Sequence, residues 1–196
     1  YNVFHDINHE YTGTRQFFKR VLAYWLEEFR VDGFRMDLTK GLTQKNSGND
    51  VEKWGKYDAS RIAIIKDYYD TLVATNPNAI FILEHLSEYN EEKVLSDYGM
   101  FPWRNMNNSY CQAAMGYASN SNFVDTNGKG GMFTTGWVGY AESHDEERNM
   151  YKALAYGDGN LKENEEARLA RVPLMIAFAQ LIPGPKMMWE FEEMGY

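Results

Sequence analysis

The segment VDGFRMDLTK, residues 31–40, sets Arg35 and Asp37 two positions apart. Along a strand, side chains at i and i+2 share a face, so these two point into one space while Phe34 and Met36 turn the other way. A guanidinium beside a carboxyl stabilises its charged form. Asp37 would then stay ionised at neutral pH, as a carboxylate nucleophile must; an ordinary structural ion pair looks the same from these residues alone. Glu84 sits differently, after the apolar run AIFIL (79–83) and two before Leu86. A carboxyl in that setting is partly desolvated, which raises its pKa and keeps it protonated as a general acid. Asp145 follows GWVGYAES, with His144 before it as a hydrogen-bond donor. One carboxyl pushed up and one held down is the division of labour used in glycoside hydrolysis. Any one of these acids alone is more ordinarily a helix cap or a solvated loop residue.

The elements that must position these acids follow from hydrophobic periodicity. Residues 14–30 carry Phe17, Phe18, Val21, Leu22, Trp25, Leu26 and Phe29 at helical intervals and predict an amphipathic helix. A strand follows over 31–38, then a polar Gly- and Asn-rich loop over 41–57. Asp58 is placed to cap a helix running to about Asn76, with Ile62, Ile65, Tyr69, Leu72 and Val73 inward and Pro77 ending it. AIFIL predicts a strand buried on both faces. A short acidic helix near 90–97 and a weak strand near 98–103 come next. Residues 104–135, rich in Asn, Ser and Gly, yield no clear element. A strand is expected over 136–143, an apolar helix over 163–181 kinked or broken at Pro173, and a last strand in KMMWEF.

Buried strands alternating with helices imply parallel strands and right-handed crossovers, so the class is α/β. An open doubly wound sheet and a (β/α)8 barrel both fit, and both gather function at the carboxyl ends of the strands. Asp37, Glu84 and Asp145 each stand at such an end, separated by enough chain for one or more strand–helix units. No glycine-rich phosphate turn follows any strand, which weighs against a dinucleotide-binding sheet.

The 196 residues are enough for one domain with a real core. A formal net charge of −8 repels phosphate backbones and makes nucleic acid a poor partner. Aromatic residues reach 15%, suited either to a large core or to the flat C–H faces of sugar rings. Cys111 is the only cysteine, so neither an internal disulfide nor a thiolate metal cluster can form. No apolar run approaches membrane-spanning length, and no membrane association is expected. The chain starts without methionine and stops at WEFEEMGY; both ends read as cut, and the compartment is left open.

DGFRMD, ILEH and ESHDEER resemble the second, third and fourth sequence signatures of the α-amylase family, glycoside hydrolase family 13, in the family's order and at fitting distances. FHDINHE with the helix after it resembles the family's loop after the third strand, and PGPKMMWEFEEMGY its eighth strand. The resemblance therefore covers nearly the whole chain. It implies that residues 1–196 are the C-terminal part of a (β/α)8 catalytic (TIM) barrel, truncated at both ends, from about the loop after strand 3 through strand 8. It further implies Asp37 as nucleophile, Glu84 as acid and then base, and Asp145 as the grip on the hydroxyls of the sugar at the cleaved bond. Arg35 would hold Asp37, His144 would bond the same sugar, and Lys40 would contact a sugar on the leaving-group side. His85 is placed either to line the cleft or to support it.

The chain also departs from the family's pattern. The family often carries histidine after the lysine, where this sequence has Gly41. His5, Asp6, Asn8 and His9 have metal-like donor types, yet their match to the post-third-strand loop favours loop closure, and no metal ligand is expected. The family's first signature, with an asparagine that often helps bind Ca2+, is missing; no cofactor is expected here, and Ca2+ only in a full-length enzyme. Trp103, Trp137 and Trp189 suit sugar stacking and barrel filling equally. The implied substrate is an α-glucan, cleaved with retention. A glucan branching enzyme of the same family and a non-catalytic glucan-binding module are the alternatives. A partial barrel leaves strand edges open, which predicts weak or no activity for this chain alone and self-association through those edges. The family suggests a secreted or periplasmic protein.

Overall fold

The computed structural model describes residues 5–126, 128–129, 132–133 and 136–196, in two compact units that divide after Trp103. In the first unit, helix α1 (Thr12–Glu28) leads to strand β1 (Gly33–Met36). A 3-10 turn (Thr39–Gly41), the short helix α2 (Val51–Trp54) and helix α3 (Ala59–Thr75) follow. Strand β2 (Ile80–Leu83), helix α4 (Tyr89–Asp97) and strand β3 (Phe101–Asn105) complete it, the last two residues of β3 belonging to the second unit.

β1 and β2 run parallel with Arg35 opposite Ile82 and Met36 opposite Leu83, and β2 pairs in parallel with β3. This register sorts the faces as the i, i+2 rule requires. Phe34 and Met36 join a core made of Leu22 and Leu26 from α1, Ile62, Ile65, Tyr68 and Leu72 from α3, and Phe81 and Leu83 from β2. Arg35 is left on the other face. Gly33 is required by close approach: a Cβ there would stand 1.9 Å from the Ile80 carbonyl oxygen. Asp58 caps α3 as expected, accepting from the backbone N–H of Ser60 and Arg61. Burial alone would raise its carboxyl, but hydrogen bonds from Lys45, Ser60 and Thr43 outweigh that and hold it well below the ordinary range.

One expectation needs correction. β2 is not buried on both faces, because Ile80 is 44% exposed while Phe81 and Leu83 are fully covered; the helices of this unit seal one face of the strand only. α1 is amphipathic as expected: Leu22 and Leu26 are buried, whereas Phe17, Trp25 and, at its C-cap, Phe29 are exposed.

The second unit begins with the end of β3 and helix α5 (Asn107–Met115). A small antiparallel pair, β4 (Gly128–Lys129) and β5 (Met132–Phe133), precedes β6 (Val138–Tyr140). Helices α6 (Asn149–Tyr156), α7 (Asn160–Glu163), α8 (Glu165–Leu169) and α9 (Val172–Leu181) lead to β7 (Lys186–Met187), which is parallel to β6. The expected helix over 163–181 is thus broken, with Pro173 in the first turn of α9, where its missing N–H costs nothing. The expected last strand shrinks to two residues. α5 and α6 lie where no helix was expected. α5 holds its place through Asn107, whose side-chain amide donates to the carbonyls of Ala141 and Glu147 at 2.9 and 3.1 Å. Cys111 is buried on this helix, and burial pushes its thiol up to about 12. The paired strands other than the β4–β5 hairpin are parallel and alternate with helices, an α/β arrangement that is part of a (β/α)8 barrel.

Candidate active site

In the first unit, one guanidinium joins two of the predicted acids. Arg35 Nη1 donates to Asp37 Oδ1 at 2.5 Å and Nη2 donates to Glu84 Oε2 at 2.8 Å. The guanidinium lies 4.2 Å from the Trp103 ring centroid, so Trp103 serves as a buried platform under Arg35. Glu84 directly follows β2 and falls on the same face as Ile82, hence on the face of Arg35. The β1 exit closes around it. Leu38 takes a left-handed conformation, φ 42°, and its N–H donates to Glu84 Oε2 at 3.0 Å. Thr39 N–H then donates to the Glu84 carbonyl at 2.9 Å. A left-handed leucine costs on the order of 1–3 kcal/mol, a strain that the bonds to Glu84 help to offset.

The two carboxyls differ in setting. The Asp37 side chain is 75% exposed and that of Glu84 12%. Burial pushes the Glu84 pKa up; the Leu38 N–H and the Arg35 guanidinium pull against it, and the Asp37 carboxylate, which also shares a hydrogen bond with it, pushes it higher. The net direction is upward, as the apolar run before Glu84 implied.

Beneath the pair lies a buried network that the sequence did not reveal. His85 is fully buried, with Nδ1 2.9 Å from Thr39 Oγ1 and Nε2 2.8 Å from Glu91 Oε1. Burial lowers its pKa, opposed by Glu91. In the neutral ring Nε2–H donates to the carboxylate and Nδ1 accepts from the Thr39 hydroxyl. Arg61 clasps the same Glu91 through Nε at 2.6 Å and Nη2 at 2.7 Å, and donates onward to the carbonyls of Lys40, Trp54 and Lys56. The expectation that His85 lines a cleft therefore gives way: both ring nitrogens are engaged inside the protein. Lys40 lies over Trp54, 4.5 Å from the ring centroid, and reaches the Leu86 carbonyl at 3.4 Å.

The N-terminal loop residues close the loop. His9 is buried with Nδ1 2.7 Å from the Tyr68 hydroxyl, Asn8 accepts from the N–H of Glu10 and Tyr11, and Asp6 accepts from Gln44. Among the described residues no group of three or more His, Cys, Asp or Glu is placed to hold a metal ion.

In the second unit, Asp145 and His144 are exposed, with His144 Nε2 3.5 Å from Asp145 Oδ2. The Asp145 N–H donates to Ser143 Oγ at 3.2 Å, and Ser143 in turn bonds Glu146. Trp189 stands 5.9 Å from the His144 ring, while Trp137 is fully buried. Three further charged groups hold this segment. Glu142 is buried and accepts from Arg148 Nη1 at 2.9 Å and from the Asn149 N–H at 2.6 Å. Glu192 accepts from the Trp189 N–H at 3.1 Å. Burial pushes Glu192 up to about 7, with the Glu142 carboxylate adding to the rise and the Trp189 N–H and Arg148 opposing it. The acids of ESHDEER were visible in the sequence, but nothing local marked Glu192.

Parallel barrel strands whose carboxyl ends carry acids define a class, the α/β-barrel enzymes that work from that rim. Comparison with known proteins specifies the family. A family model described as alpha amylase, catalytic domain, matches residues 1–196, and the chain belongs to the α-amylase family, a family of glycosidases and transglycosylases acting on α-glucans. It is 30% identical over 81 residues to the 1,4-alpha-glucan branching enzyme GlgB of Leifsonia xyli subsp. xyli (strain CTCB07), covering 38% of this chain and 11% of that protein. It is 26% identical over 88 residues to the GlgB of Aliivibrio fischeri (strain ATCC 700601 / ES114), covering 42% of this chain and 12% of that protein. The matched stretch is thus a small part of those relatives.

Proposed function

We propose that this chain carries the acid pair of a retaining α-glucan-active hydrolase. Asp37 attacks the anomeric carbon while Glu84 gives its proton to the departing glycosidic oxygen, leaving a glycosyl ester on Asp37. Glu84, now charged, takes a proton from water, and the resulting attack on the anomeric carbon frees Asp37. The observation that carries the reading is the single guanidinium touching both carboxyls. That closeness favours the short separation of retaining enzymes, about 5–5.5 Å, over the roughly 6.5–9.5 Å an inverting pair needs for an intervening water. The donors that pull the Glu84 pKa down, Leu38 N–H and Arg35, act on the carboxylate that exists midway through the cycle. By the family resemblance, Asp145 and His144 are the residues assigned to bind sugar hydroxyls. Lys40 contacts the leaving-group side, and His85 acts behind Glu84 by fixing Thr39 and the turn that holds the acid.

The branching-enzyme relatives favour a second reading, in which a sugar hydroxyl replaces water as acceptor. Incubation of the protein, expressed at the full length of its gene, with amylose separates the two. Rising reducing ends mean hydrolysis; new branch linkages with little rise mean transfer. If Asp37→Asn retains wild-type turnover in either assay, the nucleophile is misassigned.

A further inference from the structure

The strand register sets a third side chain beside the two carboxyls. Arg35 on β1 is opposite Ile82 on β2, and Ile82 is opposite Phe101 on β3. Two residues further along each chain segment, on the same face, stand Asp37, Glu84 and Trp103. The row that carries the acids therefore ends on an indole. Trp103 is only 6% exposed, so it offers a sugar no stacking face.

What the indole does cover is Arg35, whose guanidinium carbon lies 4.2 Å from the ring centroid. Nη1 and Nη2 go to different carboxyls, Asp37 and Glu84, so neither acid holds the guanidinium with a two-pronged fork. Nε is buried and has no hydrogen-bond partner among the described residues. A planar cation held by one bond on each side, with its third edge unanchored, is free to tilt toward either acid. The negative face of an aromatic ring attracts a cation laid over it, most strongly where water is excluded. Trp103 thus supplies the restraint that the missing Nε bond does not.

We propose that Trp103 is a positioning residue for the reaction: it holds the Arg35 guanidinium against its ring so that one cation serves both Asp37 and Glu84. The proposal rests on the acid-pair reading given above. A guanidinium released from the ring no longer spans the two carboxyls. Glu84 then loses one of the groups that draw its pKa down, and the carboxylate formed midway through the cycle loses a donor. The effect of Trp103 on the chemistry passes through Arg35.

The test uses the protein expressed at the full length of its gene, with amylose as substrate. In Trp103→Leu, kcat is expected to fall about tenfold with KM little changed. The alkaline limb of kcat/KM against pH is expected to move upward by about half a pH unit. Trp103→Phe, which keeps an aromatic face, should recover most of both effects. A tryptophan fluorinated on its benzo ring, placed at position 103 alone, keeps the shape and weakens the negative face. It should move the limb the same way without lowering the melting temperature, and it decides the matter if Trp103→Leu does not fold. In an Arg35→Gln background Trp103→Leu should cost little more, because the group it positions is gone. An unmoved limb in the fluorinated variant, or additive losses in the double variant, overturns the positioning role and leaves the acid pair standing. A wild-type protein that acts on no α-glucan overturns the acid-pair reading and this role together.

Discussion

Glu84 answers to two opposed influences, and its behaviour with pH follows from which one wins. Burial and the Asp37 carboxylate raise its pKa against the pull of Leu38 N–H and Arg35, so the protonated acid persists to higher pH than in a free glutamic acid. Catalysis that needs this proton falls as pH rises through the raised value. Glu84→Gln is expected to lower kcat on glucans by about 10^2–10^4 and to abolish the alkaline limb of the pH–rate profile. With a glycosyl fluoride, whose leaving group needs no proton, the variant should still release fluoride in its first turnover. Equal loss on both substrates would assign Glu84 a structural role instead.

Between residue and element stands the His85–Glu91–Arg61 chain. It ties the exits of β1 and β2 to α4 and α3 with groups that are all fully buried. A buried pair is weak evidence for net stabilisation, but removing one partner strands the other charge in a dry site. Arg61→Met leaves Glu91 without its guanidinium, and it also deprives the carbonyls of Lys40, Trp54 and Lys56 of a donor. The expected cost is about 3–5 kcal/mol, read as a lower midpoint in chemical denaturation. Arg61→Met with Glu91→Leu should recover part of it, since no unpaired charge then remains. A double variant no better than the single would deny that the stranded charge is the cause.

Across the whole molecule, pH-dependent stability has a named source in Glu192. Its pKa in the folded chain is about 7, raised from 4.5, so folding favours the protonated form. The stability this contributes is fully present below about pH 4.5 and is lost as pH rises through 7, a swing on the order of 3 kcal/mol. Glu192→Gln should flatten the melting temperature between pH 5 and 8 relative to the wild type; parallel profiles would count against it. The second molecular consequence concerns surface. β1 and β7 are end strands, and Phe17 and Trp25 on α1, Phe29 at its C-cap, and Leu174 and Leu181 on α9 are exposed. These features predict that the 196-residue chain by itself associates and turns over glucan weakly. Light scattering after size exclusion, with Trp25→Lys/Leu181→Lys as comparison, should show the association reduced. A sharply melting monomer with full starch-degrading activity would refute it.

What the amino-acid order determined by itself was local and periodic. Alternation along β1 put Arg35 and Asp37 on one face, the apolar run before Glu84 implied its upward shift, Asp58 marked the start of α3, and Pro173 marked a break. Each depends on neighbours within a few positions, where spacing alone sets geometry. The tertiary structure decided the rest: that one guanidinium serves both Asp37 and Glu84, that Leu38 turns left-handed to meet the acid, and that His85 is sealed away from any ligand. It also decided that Asn107 anchors a helix in the segment 104–135, where hydrophobic pattern was lacking, and that Glu192 comes near Glu142. These partners lie tens of residues apart along the chain, and burial, which changes both charge and hydrogen bonding, exists only once the chain has folded around them.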